Sequence, residues 1–205
     1  MHCLCPSQGD DSHEVKTGKD WSPLLIHALH VAHEEYFCKP YKEAKRDETL
    51  STQHYQPLPP VIVNGEIQKI ELEEIVIQRP NHSLANAMRK ALLVPAITQA
   101  YQFPASDLQL VMMQLAMIFE STGREHEEGG PEWQDDSERH RQASIGNFQA
   151  FAGRPEVMRF FGSEDEPSAV ITEVAQALSD MYQPNPPPMV RILEVAHQLD
   201  LFRCK

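Results

Sequence analysis

Ser106-Asp107-Leu108-Gln109-Leu110-Val111-Met112-Met113-Gln114-Leu115-Ala116-Met117-Ile118-Phe119 is the most apolar stretch of the chain. A serine before it and Gly123 after it bound a helix that is apolar on nearly every side. A helix of that kind is stable in water only when other elements enclose it. This segment therefore predicts the centre of the core. It is far shorter than the about 20 apolar residues a membrane span needs, and it carries Gln109 and Gln114.

Working outward, the flanking segments read mostly as helices that could pack around this one. Upstream, a helix opens after Pro80 and runs through Ala85, Met88, Ala91 and Leu92, with Pro95 expected to bend or interrupt it. Earlier still, Ser22 as N-cap and Pro23 at the first position open a helix in which Leu25, Leu29, Ala32 and Tyr36 recur at helical spacing. Lys39 to Pro60, broken by Pro40, Pro57, Pro59 and Pro60, reads as a long loop. Val61-Ile62-Val63, Asn64-Gly65 and Glu66 to Ile70 give one hairpin signal, since Asn-Gly accepts the positive φ of a two-residue turn. Downstream, helices are expected over about Trp133–Phe151, from Pro155 to near Gly162, over Ser168–Met181 and over Met189–Phe202. The fold class is mainly α: a compact single helical domain over 21–205 with one short β-hairpin near 61–70, behind a flexible N-terminal tail over 1–20.

The chain has 205 residues, 41% hydrophobic and 23% charged, which suits a single globular core. Eighteen basic against 30 acidic residues leave a net charge of −12. Such a surface argues against nucleic acid as a partner, because that affinity rests on Lys and Arg neutralising phosphates. The N-terminal residues lack the basic and apolar regions of a signal peptide. Cys3, Cys5, Cys38 and Cys204 show no CxxC spacing and read as free thiols in a reducing compartment. No P-loop, GxSxG or Rossmann glycine pattern is present, nor a His-Asp pair for a metal-dependent phosphohydrolase. His30 and Glu34 have the i, i+4 spacing of metal ligands, but His27, His30 and His33 fan around the helix and no partner cluster is evident. No metal and no cofactor are expected.

Three places carry chemistry. His82 follows Pro80 at a helix start and, with Asn86 and Arg89, falls at i, i+4 and i+7 on one helix face. Free backbone N–H groups and the dipole make a helix N-terminus an anion site, and the same dipole keeps an imidazole neutral and nucleophilic. On spacing alone the pattern equally fits a surface histidine with an ordinary helix arginine. Gly123-Arg124-Glu125-His126-Glu127 lies in a loop beyond the apolar helix, where a carboxylate could orient an imidazole, or simply be solvated. His197 sits on the last helix beside Leu193, Ala196 and Asp200, a placement that also fits a satisfied core histidine.

Read in order, these pieces resemble the phosphodiesterase domain of the SidE effectors of intracellular bacteria, including the stand-alone Dup members. Glu35-Tyr36-Phe37-Cys38-Lys39-Pro40-Tyr41 is similar to an early helix of the family and its Gly-Lys-Pro-Tyr exit. His82-Ser83-Leu84-Ala85-Asn86-Ala87-Met88-Arg89 resembles His-Gly-Leu-Ser-His-Thr-Leu-Arg. Gly123 to Glu127 resembles Gly-Arg-Asp-Asp-Glu, and His197-Gln198-Leu199-Asp200-Leu201-Phe202-Arg203 resembles His-Met-Val-Asp-Leu-Val-Arg. Asn86 stands where the family has a second histidine, and Glu194 where it has an asparagine. The chain ends two residues after Arg203, so the resemblance implies a domain truncated at its C-terminal cap.

The resemblance implies an all-α, metal-independent phosphodiesterase. Its substrate would be an ADP-ribosylated or phosphoribosylated protein, ubiquitin in that family, and its products AMP or phosphoribosyl-ubiquitin. His82 would be the nucleophile, passing through a phosphohistidine; Glu127 would orient it; His197 would be the general acid and base. Arg89, Arg203 and Asn86 would hold the phosphate. Two alternatives stand beside this reading: a phosphodiesterase for a small nucleotide such as ADP-ribose, and a non-catalytic module that binds a nucleotide or a partner. An effector would be delivered to the host cytosol; otherwise the chain is expected in the cytoplasm.

Overall fold

Ser106 and Gln109 close a capping box at the start of α3 (Asp107–Phe119): the Ser106 hydroxyl accepts the Gln109 N–H, and the Gln109 side chain accepts the Ser106 N–H. In the computed structural model, residues 19–38, 61–63, 66–68, 83–124, 133–162 and 166–202 are described. Every residue of α3 from Val111 to Phe119 is buried. α2 (Leu84–Ala100) lies along it most extensively, and α1 (Ser22–Ala32), α4 (Trp133–Ala152), α6 (Pro167–Ser179) and α7 (Pro188–Phe202) complete the enclosure. The short α5 (Pro155–Met158) follows α4. Each large side chain withdrawn from water here contributes about 1.5–3 kcal/mol. Phe119, Phe148, Phe151, Met112, Met113, Leu115 and Met117 are all fully buried, and Phe119 stacks on Phe151 at 4.9 Å. The all-round apolar segment is thus the centre of a mainly helical fold.

Pro95 does not interrupt α2, which continues unbroken to Ala100. A proline inside a helix leaves the carbonyl four residues earlier without its donor. Here that carbonyl belongs to Ala91, and the Gln114 amide of α3 donates to it at 3.2 Å. This also explains a glutamine amid the apolar face of α3. Gln114→Leu is expected to cost about 1–3 kcal/mol by orphaning a buried carbonyl. In a Pro95→Ala background, where the helix supplies its own donor, the loss should nearly vanish. Urea unfolding of the four variants measures this, and an equal loss in both backgrounds would refute it.

α1 begins one residue away from the expected cap. Ser22 is its first helical residue, Trp21 is the N-cap, and the Asp20 carboxylate accepts the Ser22 N–H at 2.9 Å. The helix passes into a π-helical turn over His33–Phe37, where Tyr36 meets Phe119 edge-on at 6.1 Å. Of residues 61–70 only two three-residue stretches are described, β1 (Val61–Val63) and β2 (Glu66–Gln68), in antiparallel register with Ile62 opposite Ile67, and they do not by themselves support the expected hairpin. The Asn64-Gly65 turn and residues 69–70 lie outside the described residues, as does the expected tail apart from Lys19 and Asp20. The mainly α class stands on the helices alone.

The exit from α3 is pinned against α4. The Gly123 N–H donates to Ser144 Oγ at 2.9 Å, and a Cβ on Gly123 would lie 2.3 Å from the His140 carbonyl oxygen. Only glycine permits that approach. Thr122 Oγ1 donates to the Phe119 carbonyl at 2.7 Å and accepts from Asn147 Nδ2 at 3.1 Å. Together these fix Glu120 and Ser121 just beyond the end of α3. Among the described residues no helix is long and apolar enough to cross a membrane.

Candidate active site

α7 presents Glu194, His197 and Asp200 at three-residue intervals, a spacing that stacks side chains along one helix face. Each meets a different element. Asp200 is buried and accepts from Asn86 Nδ2 and Arg89 Nε, both on α2. The Arg89 side chain keeps 32% of its surface exposed. Asn86 is itself buried, and its Oδ1 has no hydrogen-bond partner among the described residues. Glu194 accepts the Tyr182 N–H at 2.5 Å and pairs with Arg191 at 3.1 Å. Its two oxygens are thus engaged by the Tyr182 N–H and by Arg191.

His197 is the centre of the third contact. Its Nδ1 lies 3.2 Å from Glu120 Oε1, close enough for an ion pair though not aligned as a straight hydrogen bond. The other oxygen of Glu120 accepts from Lys90 Nζ and from Ser121 Oγ, the latter at 2.6 Å, and Lys90 also donates to Ser121 Oγ at 2.9 Å. Lys90 is completely buried, on the same face of α2 as Asn86. A buried ammonium without a partner is strongly unfavourable, so Lys90 and Glu120 specify one another.

Burial works against ionisation of Glu120, but the charges of Lys90 and His197 and the hydrogen bond from Lys90 outweigh it and hold the carboxyl well below its ordinary value. A carboxylate depressed on folding stabilises the protein above its unfolded value of about 4.3, and that stabilisation is lost as pH falls through the lower folded value. The gap in urea midpoint between the parent and Glu120→Gln should therefore narrow from pH 7 to about pH 3. A gap independent of pH would contradict this assignment.

Of the residues singled out from sequence, the structure brings His197, Asn86 and Arg89 into one region, the last two through Asp200. His82, Glu127 and Arg203 lie outside the described residues. α2 starts at Leu84 with Ser83 as N-cap, two residues beyond His82. Sequence reasoning missed Lys90, Glu120 and Asp200. The signal was present for Lys90: buried α2 residues fall at 86, 87, 90, 91, 94, 97 and 98, a helical period that includes one lysine. Among the described residues, no group of three or more His, Cys, Asp and Glu side chains could hold a metal ion.

The arrangement therefore comprises a histidine with one ring nitrogen against an ionised carboxylate, and beside it an arginine whose Nε is tied to a second carboxylate. That suits proton transfer next to an anion. No curated protein matches this chain. The model of the SidE phosphodiesterase (PDE) domain matches residues 40–205, a span that contains α2, α3, α4, α6 and α7 and hence every side chain just described. The chain belongs to the SidE phosphodiesterase domain family, and it carries a phosphodiesterase domain.

Proposed function

We propose that the domain cleaves the pyrophosphate of an ADP-ribosylated protein, ubiquitin being the candidate the family suggests, without a metal ion. The observation that carries this reading is the contact of His197 with Glu120, itself held by buried Lys90. An ionised carboxylate on Nδ1 favours the proton there, so Nε2 is the nitrogen that exchanges protons with a substrate. It also stabilises the imidazolium without taking its proton.

In the first half-reaction His82 attacks the phosphorus on the phosphoribosyl side. A nitrogen–phosphorus bond forms, the bridging phosphorus–oxygen bond breaks, and AMP leaves with a proton from His197 Nε2. In the second half, neutral His197 takes a proton from water or a serine hydroxyl, whose oxygen displaces His82 from phosphorus. Arg89 offers its terminal nitrogens to the phosphate, with Asp200 fixing the guanidinium through Nε. Arg203 and Asn86 are further candidates for phosphate contacts. Glu120 takes the role of orienting carboxylate toward His197, and Glu127 is retained as the candidate toward His82.

The test is AMP release from ADP-ribosylated ubiquitin by the full chain, by His82→Ala and by His197→Ala. Release by the parent, abolished by His82→Ala and strongly reduced by His197→Ala, is the expected result. Absence of release by the parent defeats the protein-substrate reading. Turnover of free ADP-ribose in that case would favour the small-nucleotide alternative.

A further inference from the structure

Tyr182 is one of three described non-glycine residues with positive φ, at 73°, and the only aromatic among them. A bulky side chain adopts that backbone region at a cost, and such residues persist only where their surroundings over-determine them. Here the surroundings do so on one peptide group. The carbonyl of Met181 accepts from Arg141 Nη1 at 3.0 Å, while the N–H of Tyr182 donates to Glu194 at 2.5 Å. Glu194 is buried and tied in turn to Arg191. Two charged side chains from different helices thus grip the two ends of a single amide.

What this grip positions is the ring. It stands edge-to-face with the imidazole of His197, with centroids 6.1 Å apart and planes at 78°, and the residue is 55% exposed. A core aromatic is not left half-exposed, and a surface aromatic has no need of a strained, doubly fixed backbone. Desolvation, then the charges of Glu120 and Glu194, raise the phenol above its ordinary value, so the side chain is neutral at working pH.

We propose that Tyr182 is a substrate-binding residue whose ring packs against the planar nucleobase of the nucleotide half of the substrate, beside the phosphorus that His197 serves. This rests on the function proposed above and adds the part of the substrate that the histidine, arginine and carboxylates leave without a partner. Aromatic rings bind bases of any sequence because every base offers a π-face.

The experiment is calorimetric titration of the full chain with AMP and, separately, with ribose 5-phosphate, which keeps the phosphate and sugar and lacks the base. Tyr182→Ala should weaken AMP about 10-fold and leave ribose 5-phosphate unchanged, while Tyr182→Phe keeps the parent affinity for both. In turnover, the alanine variant should raise KM by a similar factor with little change in kcat. Glu194→Ala, which keeps the ring and frees the peptide, should weaken AMP by less than Tyr182→Ala. Equal loss for both ligands, or no loss for AMP, overturns the proposal, as does a parent chain that does not bind AMP at all. A chain that binds AMP through Tyr182 yet releases none from ADP-ribosylated ubiquitin would leave this assignment intact and remove the reading beneath it.

Discussion

Lys90→Met is expected to lower the free energy of unfolding by about 3–5 kcal/mol, the cost of removing one partner from a desolvated ion pair. In a domain of this size that corresponds to a fall in Tm of roughly 10 °C. Methionine keeps the unbranched stem and most of the volume, so the loss reports the charge and not a cavity. What it strands is the Glu120 carboxylate, whose side chain is only 18% exposed. Glu120→Gln alone strands the ammonium and is also destabilising. The double variant has no charge to strand, and it should be more stable than the sum of the single losses predicts, with a coupling of at least about 1 kcal/mol. Thermal or urea unfolding of the four proteins closes the cycle. Simple additivity would show that the two groups do not specify each other.

His197→Ala carries the largest expected effect on chemistry. On the proposed mechanism His197 is the general acid and base, and removal of such a group costs about 10²–10⁴ in rate. The effect should depend on the leaving group. AMP departs as a phosphate monoester that benefits from a proton, whereas a phosphodiester with a nitrophenolate leaving group needs none. The first half-reaction of the variant should therefore be much less impaired on the activated substrate, with the deficit moving to the hydroxyl-dependent second half. Pre-steady-state measurement of nitrophenolate then shows a burst where the parent gives steady turnover. Equal impairment on both substrates would remove the proton from the histidine's role. Glu120→Gln should fall between the parent and His197→Ala, since glutamine can hold the ring but cannot stabilise its charged form.

The helical architecture was legible because it rests on short-range periodicity. The stretch from Leu108 to Phe119 could only be enclosed, and α4, α6 and α7 follow their expected spans within a residue or two. Pro95 shows where local reading fails: its disruption of α2 is cancelled by Gln114, a partner on another helix that no propensity can supply. The site follows the same division. His197, Asn86 and Arg89 were marked by spacing and by family resemblance, and α7 and α2 bring them together. Glu120 was not singled out, because a carboxylate one step beyond a buried helix carries no motif, whereas Glu127, marked toward His82 by a loop motif, lies outside the described residues. Lys90 and Asp200 looked like ordinary helix charges. Their meaning depends on pairing across 30 residues for Lys90 with Glu120 and 111 for Arg89 with Asp200, separations at which sequence pattern is silent.

The anchoring of Asp200 to α2 has a consequence for how this protein becomes active. His197 and Asp200 are rigidly phased on one helix, so closing the Asp200 contact sets the azimuth of His197 with no further adjustment. That contact joins segments 111 residues apart, and contacts of such long range form only after the entropy of closing the intervening chain has been overcome. On the proposed mechanism, turnover is therefore expected to return late in refolding. With α7 undocked, the Asp200 and Glu120 contacts that hold His197 are absent, so on that mechanism no turnover is expected. Recovery of turnover after dilution from denaturant then times the arrival of the final helix, lagging behind the return of helical circular dichroism.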